Sequence, residues 1–253
     1  MHNILITGAA SGIGAATARL FHRNGWSVGL LDIDRSALTG LVDELGGAWH
    51  RVLDVTDAEA VREAVAAFCA DHDDQLRLLF NGAGILRCGP FAETPLEEHA
   101  RTLNINVLGL LNLCHAAFPY LKRTPNAQVI NMGSASAQYG VPTMASYSAS
   151  KFAVRGLTEA LELEWREHGI RVGDLMPLFV ATPMVSTQTF TPPVMRRLSV
   201  KLSAEQIARA AWQQAQDSRV HRPVGWQFRL LYLTGQLSPA WMNRRVMGWL
   251  SRA

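Results

Sequence analysis

The sequence predicts one α/β domain: a doubly wound (Rossmann-type), mostly parallel sheet with helices on both faces. Three observations carry that expectation. Short apolar runs alternate with longer stretches of helical periodicity, as strands and crossover helices of a parallel sheet do. Polar and glycine residues collect where the runs end, which is where such sheets bind ligands. No linker, repeat or low-complexity tract divides the 253 residues, of which 48% are hydrophobic and 18% charged, and α/β chains of this length routinely stay undivided.

Asn3–Ile6 reads as a buried strand, followed at once by a glycine turn, Thr7-Gly-Ala-Ala-Ser-Gly-Ile-Gly14. Ala15, Ala18, Leu20 and Phe21 then fall at helical spacing, closed by Asn24-Gly25. Strand, glycine turn and helix is the context in which such a turn cradles a dinucleotide. Glycine lets the backbone approach a pyrophosphate, and the helix start offers free N–H groups and a positive dipole end. Trp26–Leu31 is the next strand, and it ends on Asp32, 18 positions after Gly14. A carboxylate near that spacing accepts from a ribose 2′-hydroxyl and repels a 2′-phosphate, so NAD is expected over NADP. Neither Ser11 nor Ile33 is basic; Arg35 stands close by, and Asp34 reads as a loop or helix-cap aspartate.

The alternation continues with a helix near Arg35–Leu45 and a strand near Ala48–Leu53 that ends on Asp54. A helix near Ala58–Ala70 and the strand Leu76–Phe80 follow, leading into Asn81-Gly-Ala-Gly84. Leu103–Leu121 reads as one long helix carrying Asn104, Asn106 and Asn112, which need partners if buried. His115 is expected among core residues. Val129–Met132 is a strand before Gly133-Ser134-Ala135-Ser136, a helix runs from Tyr147 to about His168, and Ile170–Leu175 is a strand closed by Met176-Pro177.

Cys69, Cys88 and Cys114 are dispersed and odd in number, and the histidines show no His-x-x-x-His spacing. Reduced thiols, no metal and a cytoplasmic setting are expected. The N-terminus shows no secretory leader, and no apolar run reaches the roughly 20 residues a bilayer requires. Net charge is +3 but uneven: residues 190–253 hold ten Lys/Arg against two Asp/Glu, leaving residues 1–189 net acidic.

The chemistry centres on Tyr147-Ser-Ala-Ser-Lys151. On a helix, residues four apart stand one above the other, setting an ammonium beside a phenol. A nearby cation favours phenolate, so the Tyr147 pKa is expected to fall from about 10 toward neutrality. A phenol poised there donates and accepts protons.

With these motifs in order, the chain resembles the short-chain dehydrogenase/reductase family in its single-domain form. The resemblance rests on Thr7–Gly14, Asp54-Val55, Asn81-Gly-Ala-Gly84, Asn106-Val-Leu-Gly, Ser134, and Tyr147 with Lys151. Ser134 precedes Tyr147 by 13 residues, the family's interval. The resemblance implies Tyr147 as acid/base at the substrate oxygen and Ser134 as a hydrogen-bond partner of that oxygen. Lys151 would lower the tyrosine pKa and hold the nicotinamide ribose, and Asn106 would tie Lys151 to a water path. It implies cofactor contacts at Gly8, Ser11, Gly12, Ile13, Gly14, Asp32, Asp54, Val55, Asn81, Ala83, Gly84, Pro177, Val180 and Thr182, besides Tyr147 and Lys151. Two positions depart from the pattern. Gly82 replaces an asparagine and is expected to loosen its loop; Leu178 follows Pro177 where a glycine is usual.

Residues 183–200, rich in Thr and Pro with Met184, Phe190 and Met195, read as a substrate flap, and its apolar side chains suggest a hydrophobic secondary alcohol or ketone (steroid-, retinoid- or lipid-like). Residues 226–253 form a basic aromatic extension with three readings: packing on the domain or a second subunit, a peripheral membrane contact, or a landing patch for an anionic carrier. A homodimer or homotetramer through Leu103–Leu121 and Tyr147–His168 is implied by the resemblance; no nucleic-acid partner is suggested. The alternatives are a ketoacyl-type reductase, which the tail and Asp32 make less expected, and a non-catalytic dinucleotide-binding regulatory protein.

Overall fold

The structure is a computed structural model and describes residues 2–252. Its centre is a seven-stranded sheet, parallel throughout. Its strands are β1 (Asn3–Thr7), β2 (Ser27–Asp32), β3 (Trp49–Val52), β4 (Leu78–Asn81), β5 (Gln128–Met132), β6 (Arg171–Pro177) and, last in space, β9 (His221–Val224). The spatial order is β3-β2-β1-β4-β5-β6-β9. The order reverses between β1 and β4, and there the crossovers leave to opposite faces, so a crevice opens at the carboxyl ends of those strands. A separate two-stranded ribbon pairs β7 (Val180–Ala181) with β8 (Leu202–Ser203).

Both sheet faces are covered, which is why the strands read as continuous apolar runs rather than alternating ones. Successive side chains still point to opposite faces. Ile4, Ile6, Leu78 and Phe80 pack toward α1 (Gly12–Arg23), α2 (Arg35–Glu44) and α9 (Ala204–Gln214). Leu5, Leu79, Val129 and Val172 pack toward α3 (Ala58–Ala70), α5 (Gly109–Lys122) and α6 (Ala145–Glu164). Asp34 accepts from Ala37 N–H at 3.0 Å and Asp57 from Ala60 N–H at 3.0 Å, capping α2 and α3. Asp34 is thus the cap aspartate of its pair, and Asp32 is left for another task.

The helix expected at Leu103–Leu121 is interrupted. α4 (Leu96–Leu103) passes through a π-helical turn at Asn104–Leu108 before α5 begins. One extra residue in the turn shifts the facing side chains, which puts Asn106 inside while Asn104 stays exposed. On α5, Cys114 and Ala117 face the core and His115 is exposed, against expectation: the inward stripe takes its neighbours instead. Asn112 donates to Val55 O at 3.0 Å and is structural.

After β7 the chain forms short helices α7 (Pro183–Ser186) and α8 (Pro193–Leu198), then α9 and β9, and ends in a hairpin of α10 (Trp226–Leu237) and α11 (Ala240–Leu250). The three cysteines are buried and free, and among the described residues no helix is long and apolar enough to cross a membrane.

Candidate active site

The glycine turn is held by sterics. Gly8 has φ +66°, and a Cβ there would come within 2.9 Å of three backbone atoms of Gly82 and Ala83; a Cβ on Gly14 would overlap the Gly8 carbonyl oxygen. The loop therefore folds tightly onto the start of α1, whose first turn carries no acidic side chain, leaving its positive dipole end uncompensated. Ser11 precedes this helix with an exposed side chain that makes no cap bond. Asp32, at the carboxyl end of β2, accepts from Ala10 N–H at 2.9 Å and Asp34 N–H at 3.0 Å, one bond to each oxygen. A carboxylate has about four acceptor positions, so two bonds leave room for a ligand's hydroxyls. A cradle that only glycine permits, free helix N–H groups and an acceptor at the next strand end fit a dinucleotide.

Not every residue of the expected cofactor set turns its side chain to the crevice. Asn81 is buried on the α5–α6 side, donating to Asn131 Oδ1 at 2.9 Å, and Asn131 in turn donates to Thr158 Oγ1 at 2.9 Å; this chain ties β4, β5 and α6 together. The Asp54 carboxylate turns onto Thr56, accepting from its N–H at 2.9 Å and its hydroxyl at 2.8 Å. Val55 is buried against Gly109. Ala83 and Gly82 donate their N–H groups to Thr7 Oγ1, both at 3.1 Å. Gly82 is also filled around: an added Cβ would stand 2.7 Å from Thr7 O and 2.8 Å from the Phe80 ring. The departure at this position does not loosen the loop. The Phe80 ring and the Thr7 carbonyl oxygen occupy the space a side chain would need, and the Thr7 hydroxyl braces the loop.

A cavity of about 300 Å³ opens beside this crevice. Ile13, Gly84, Pro177, Val180 and Thr182 are among its lining residues, and Ser134, Tyr147 and Lys151 stand in its wall. Ser134 follows β5 with extended backbone and accepts from Ser136 N–H at 3.1 Å, which fixes its hydroxyl. Ser134 stands near enough to the Tyr147 phenol for its hydroxyl to favour the phenolate. Lys151 is buried, donates from Nζ to Met132 O at 2.8 Å, and has Nζ 5.5 Å from the centre of the Tyr147 ring. Asn106 accepts from Ile85 N–H at 2.8 Å and donates to Ile85 O and Ser150 Oγ, both at 3.0 Å; its bonds fix the loop after Gly84 to α6 rather than reaching Lys151 directly.

The electrostatics run against the expected depression of the tyrosine pKa. Burial pushes Tyr147 up to about 12, and the Ser134 hydroxyl only partly opposes it. Burial likewise pulls Lys151 down to about 8, with the Asp174 charge opposing. Desolvation therefore dominates the ionisation of both groups.

Further residues shape the cavity, and of these Gln138 and Gln188 carried no signal in the sequence. The Gln188 amide bridges the flap to the opposite rim, donating to Leu86 O at 2.9 Å and accepting from Cys88 N–H at 3.1 Å. Gln138 donates to Tyr232 O at 3.2 Å on α10. Leu178 packs with Phe228 and Tyr232 of the tail, which explains why an apolar side chain suits the turn after Pro177. Met247 and Leu250 pack with Val141, Met144 and Val194, so the tail helices form one wall of the cavity.

Comparison with known proteins agrees with this geometry. The family model described as short chain dehydrogenase matches residues 2–191, and the chain belongs to that family of oxidoreductases. It is 36% identical over 188 residues to oxidoreductase UcpA of Salmonella typhimurium, covering 72% of this chain and 71% of that protein. It is 34% identical to D-threitol dehydrogenase of Mycolicibacterium smegmatis, covering 71% and 70%. Among solved structures, a short chain dehydrogenase/reductase from Burkholderia phymatum in complex with NAD superposes with TM-score 0.81 at 27% identity, covering 93% of this chain and 92% of that one. A 3-ketoacyl-(acyl-carrier-protein) reductase from Brucella melitensis complexed with NADH does so at 0.79 and 27%, covering 88% and 96%.

Proposed function

We propose that the chain moves a hydride between NAD and a hydrophobic secondary alcohol or ketone. The observation that carries this is the Ser134–Tyr147 hydroxyl pair, backed by buried Lys151, in the wall of a mainly apolar cavity beside a glycine cradle. The cradle Gly8–Gly14 would hold a pyrophosphate, Asp32 the adenosine ribose, and Lys151 with Tyr147 the nicotinamide ribose. Ser11, Ile13, Asp54, Val55, Pro177, Val180 and Thr182 shape the remainder, with Asn81, Ala83 and Gly84 setting the loop. Bound nicotinamide supplies or accepts the hydride, and the protein supplies position and a proton.

Ser134 and Tyr147 present two hydroxyls to one substrate oxygen. In the reductive direction Tyr147 delivers its proton there as the oxygen becomes an alkoxide; in the oxidative direction it takes the proton back. Lys151, largely charged at pH 7, favours the anion that forms. Asn106 keeps Gly84–Leu86 and α6 in register. Asp32 favours NAD through acceptance from ribose hydroxyls and repulsion of a 2′-phosphate.

Tyr147→Phe should lower turnover by about 10²- to 10⁴-fold; full turnover would remove the catalytic role and favour a non-catalytic nucleotide-binding protein. Asp32→Ala should shift kcat/KM toward NADP. A ketoacyl-type reductase is the second reading, supported by the Brucella melitensis neighbour. A panel of hydroxysteroids, retinoids, acyl thioesters and simple alcohols separates the two.

A further inference from the structure

We propose that the outer face of the α10–α11 hairpin is a docking surface for an anionic lipid bilayer. The two helices are apolar on both sides. Their inner side, with Phe228, Leu231, Met242, Val246 and Leu250, walls the cavity. On the outer side of α10, Trp226, Leu230, Leu233 and Leu237 follow one another at steps of four, three and four residues, a single helical stripe. Each is 59–89% exposed. On α11, Trp241, Arg245 and Trp249 repeat every four residues and are exposed as well. A contiguous apolar stripe of this length is uncommon on the free surface of a monomer and marks an interaction site.

Charge decides what the site takes. Residues 218–253 contain six arginines and no aspartate or glutamate. Arg229, Arg244, Arg245 and Arg252, on or next to the same two helices, are exposed. The Arg245 guanidinium lies 5.3 Å from the Trp241 ring centre and that of Arg197, on α8, 5.1 Å from the Trp249 ring centre. Leucines flanked by tryptophans that carry guanidinium groups match a bilayer boundary, with acyl chains beneath and anionic headgroups at the level of the rings. A second copy joined across a two-fold axis would bring two arginine-bearing hairpins together with no carboxylate from either hairpin between them, so a homodimer through this face is disfavoured. The surface lies outside the cavity lining, so lipid binding is expected whatever the substrate proves to be.

The full-length protein is mixed with phosphatidylcholine vesicles, with and without about one-third phosphatidylglycerol, and floated at low and high salt. Binding is expected mainly to the anionic vesicles and should weaken as salt rises. Arg244→Gln with Arg245→Gln should weaken it about 25-fold, since each arginine near an anionic surface contributes roughly fivefold. Leu230→Gln with Leu233→Gln and Leu237→Gln should abolish it while circular dichroism and turnover stay as in the wild type. The proposal is overturned if the wild type floats with neither vesicle, if the leucine variant still binds, or if that variant's only effect is loss of self-association by light scattering.

Discussion

Replacing Lys151 by methionine should stabilise the protein while destroying its catalysis. The ammonium is buried, and its pKa falls from 10.5 to about 8 because burial disfavours the charge. A drop of about 2.5 units at 1.36 kcal/mol each amounts to about 3 kcal/mol of folding stability withheld below pH 8. The sign follows from proton linkage. Between pH 8 and 10.5 the unfolded chain still binds the proton that the folded chain has released, so wild-type stability rises with pH across that window and the penalty fades. Methionine keeps most of the volume and removes the charge, but leaves Met132 O without its 2.8 Å donor, a loss of about 1 kcal/mol. The net expectation for the cofactor-free protein is a gain of about 2 kcal/mol at pH 7, or roughly 4–8 °C in Tm for a chain of this size, shrinking to about zero by pH 10. Urea unfolding of both proteins at pH 7, 9 and 10 measures it. A variant no more stable than wild type at pH 7, or a gain that persists unchanged at pH 10, would refute the claim that desolvation governs this lysine.

Three further outcomes are expected. His221 Nδ1 lies 3.0 Å from buried Asp174 and its Nε2 3.0 Å from Glu159, with Arg155 beside them; burial lowers the histidine pKa, but the hydrogen bond and charge of Asp174 outweigh it and the net direction is upward. That stabilisation is whole below about pH 6.5 and fades as pH rises through the raised value, so wild-type Tm should fall between pH 6 and 8 and His221→Asn should flatten the fall; equal slopes would count against it. Gln188→Ala removes both bonds from the flap to the Leu86–Cys88 rim and should speed limited proteolysis within residues 183–200 by roughly tenfold or more, at about 1 kcal/mol per bond; an unchanged cleavage rate would mean the flap is held elsewhere. Leu111 and Phe152 are exposed on α5 and α6, and if those helices join subunits, Leu111→Glu with Phe152→Glu should reduce the mass seen by light scattering to that of one chain.

How much of this was legible in the sequence depends on how local each determinant is. β1, the glycine turn and α1 could be read because sterics at Gly8 and Gly14 and apolar periodicity act within a few residues. Ser134, Tyr147 and Lys151 could be read because spacing along one strand end and one helix fixes their neighbourhood. The ionisation of Tyr147 could not, because it turns on how dry the wall of the cavity is, and that is set by residues as distant as Leu250. Gly82 misled for a similar reason: its space is filled by Phe80 and Thr7, the latter contributed by a different strand. The π-turn at Asn104–Leu108 leaves no mark in apolar periodicity, since one added residue only rotates the stripe that follows.

The tail links these observations. The family model ends at residue 191, and residues beyond it build α9, β9 and the hairpin that closes the cavity. Leu178 is one place where the two parts meet, packing in one cluster with Phe228 and Tyr232. Gln138 reaches α10 from the loop between Ser134 and Tyr147, so the segment that joins those two hydroxyl-bearing residues also holds the hairpin. Ser134 and Tyr147 lie within the residues that the family model matches, whereas much of the cavity wall around them is built by residues beyond 191.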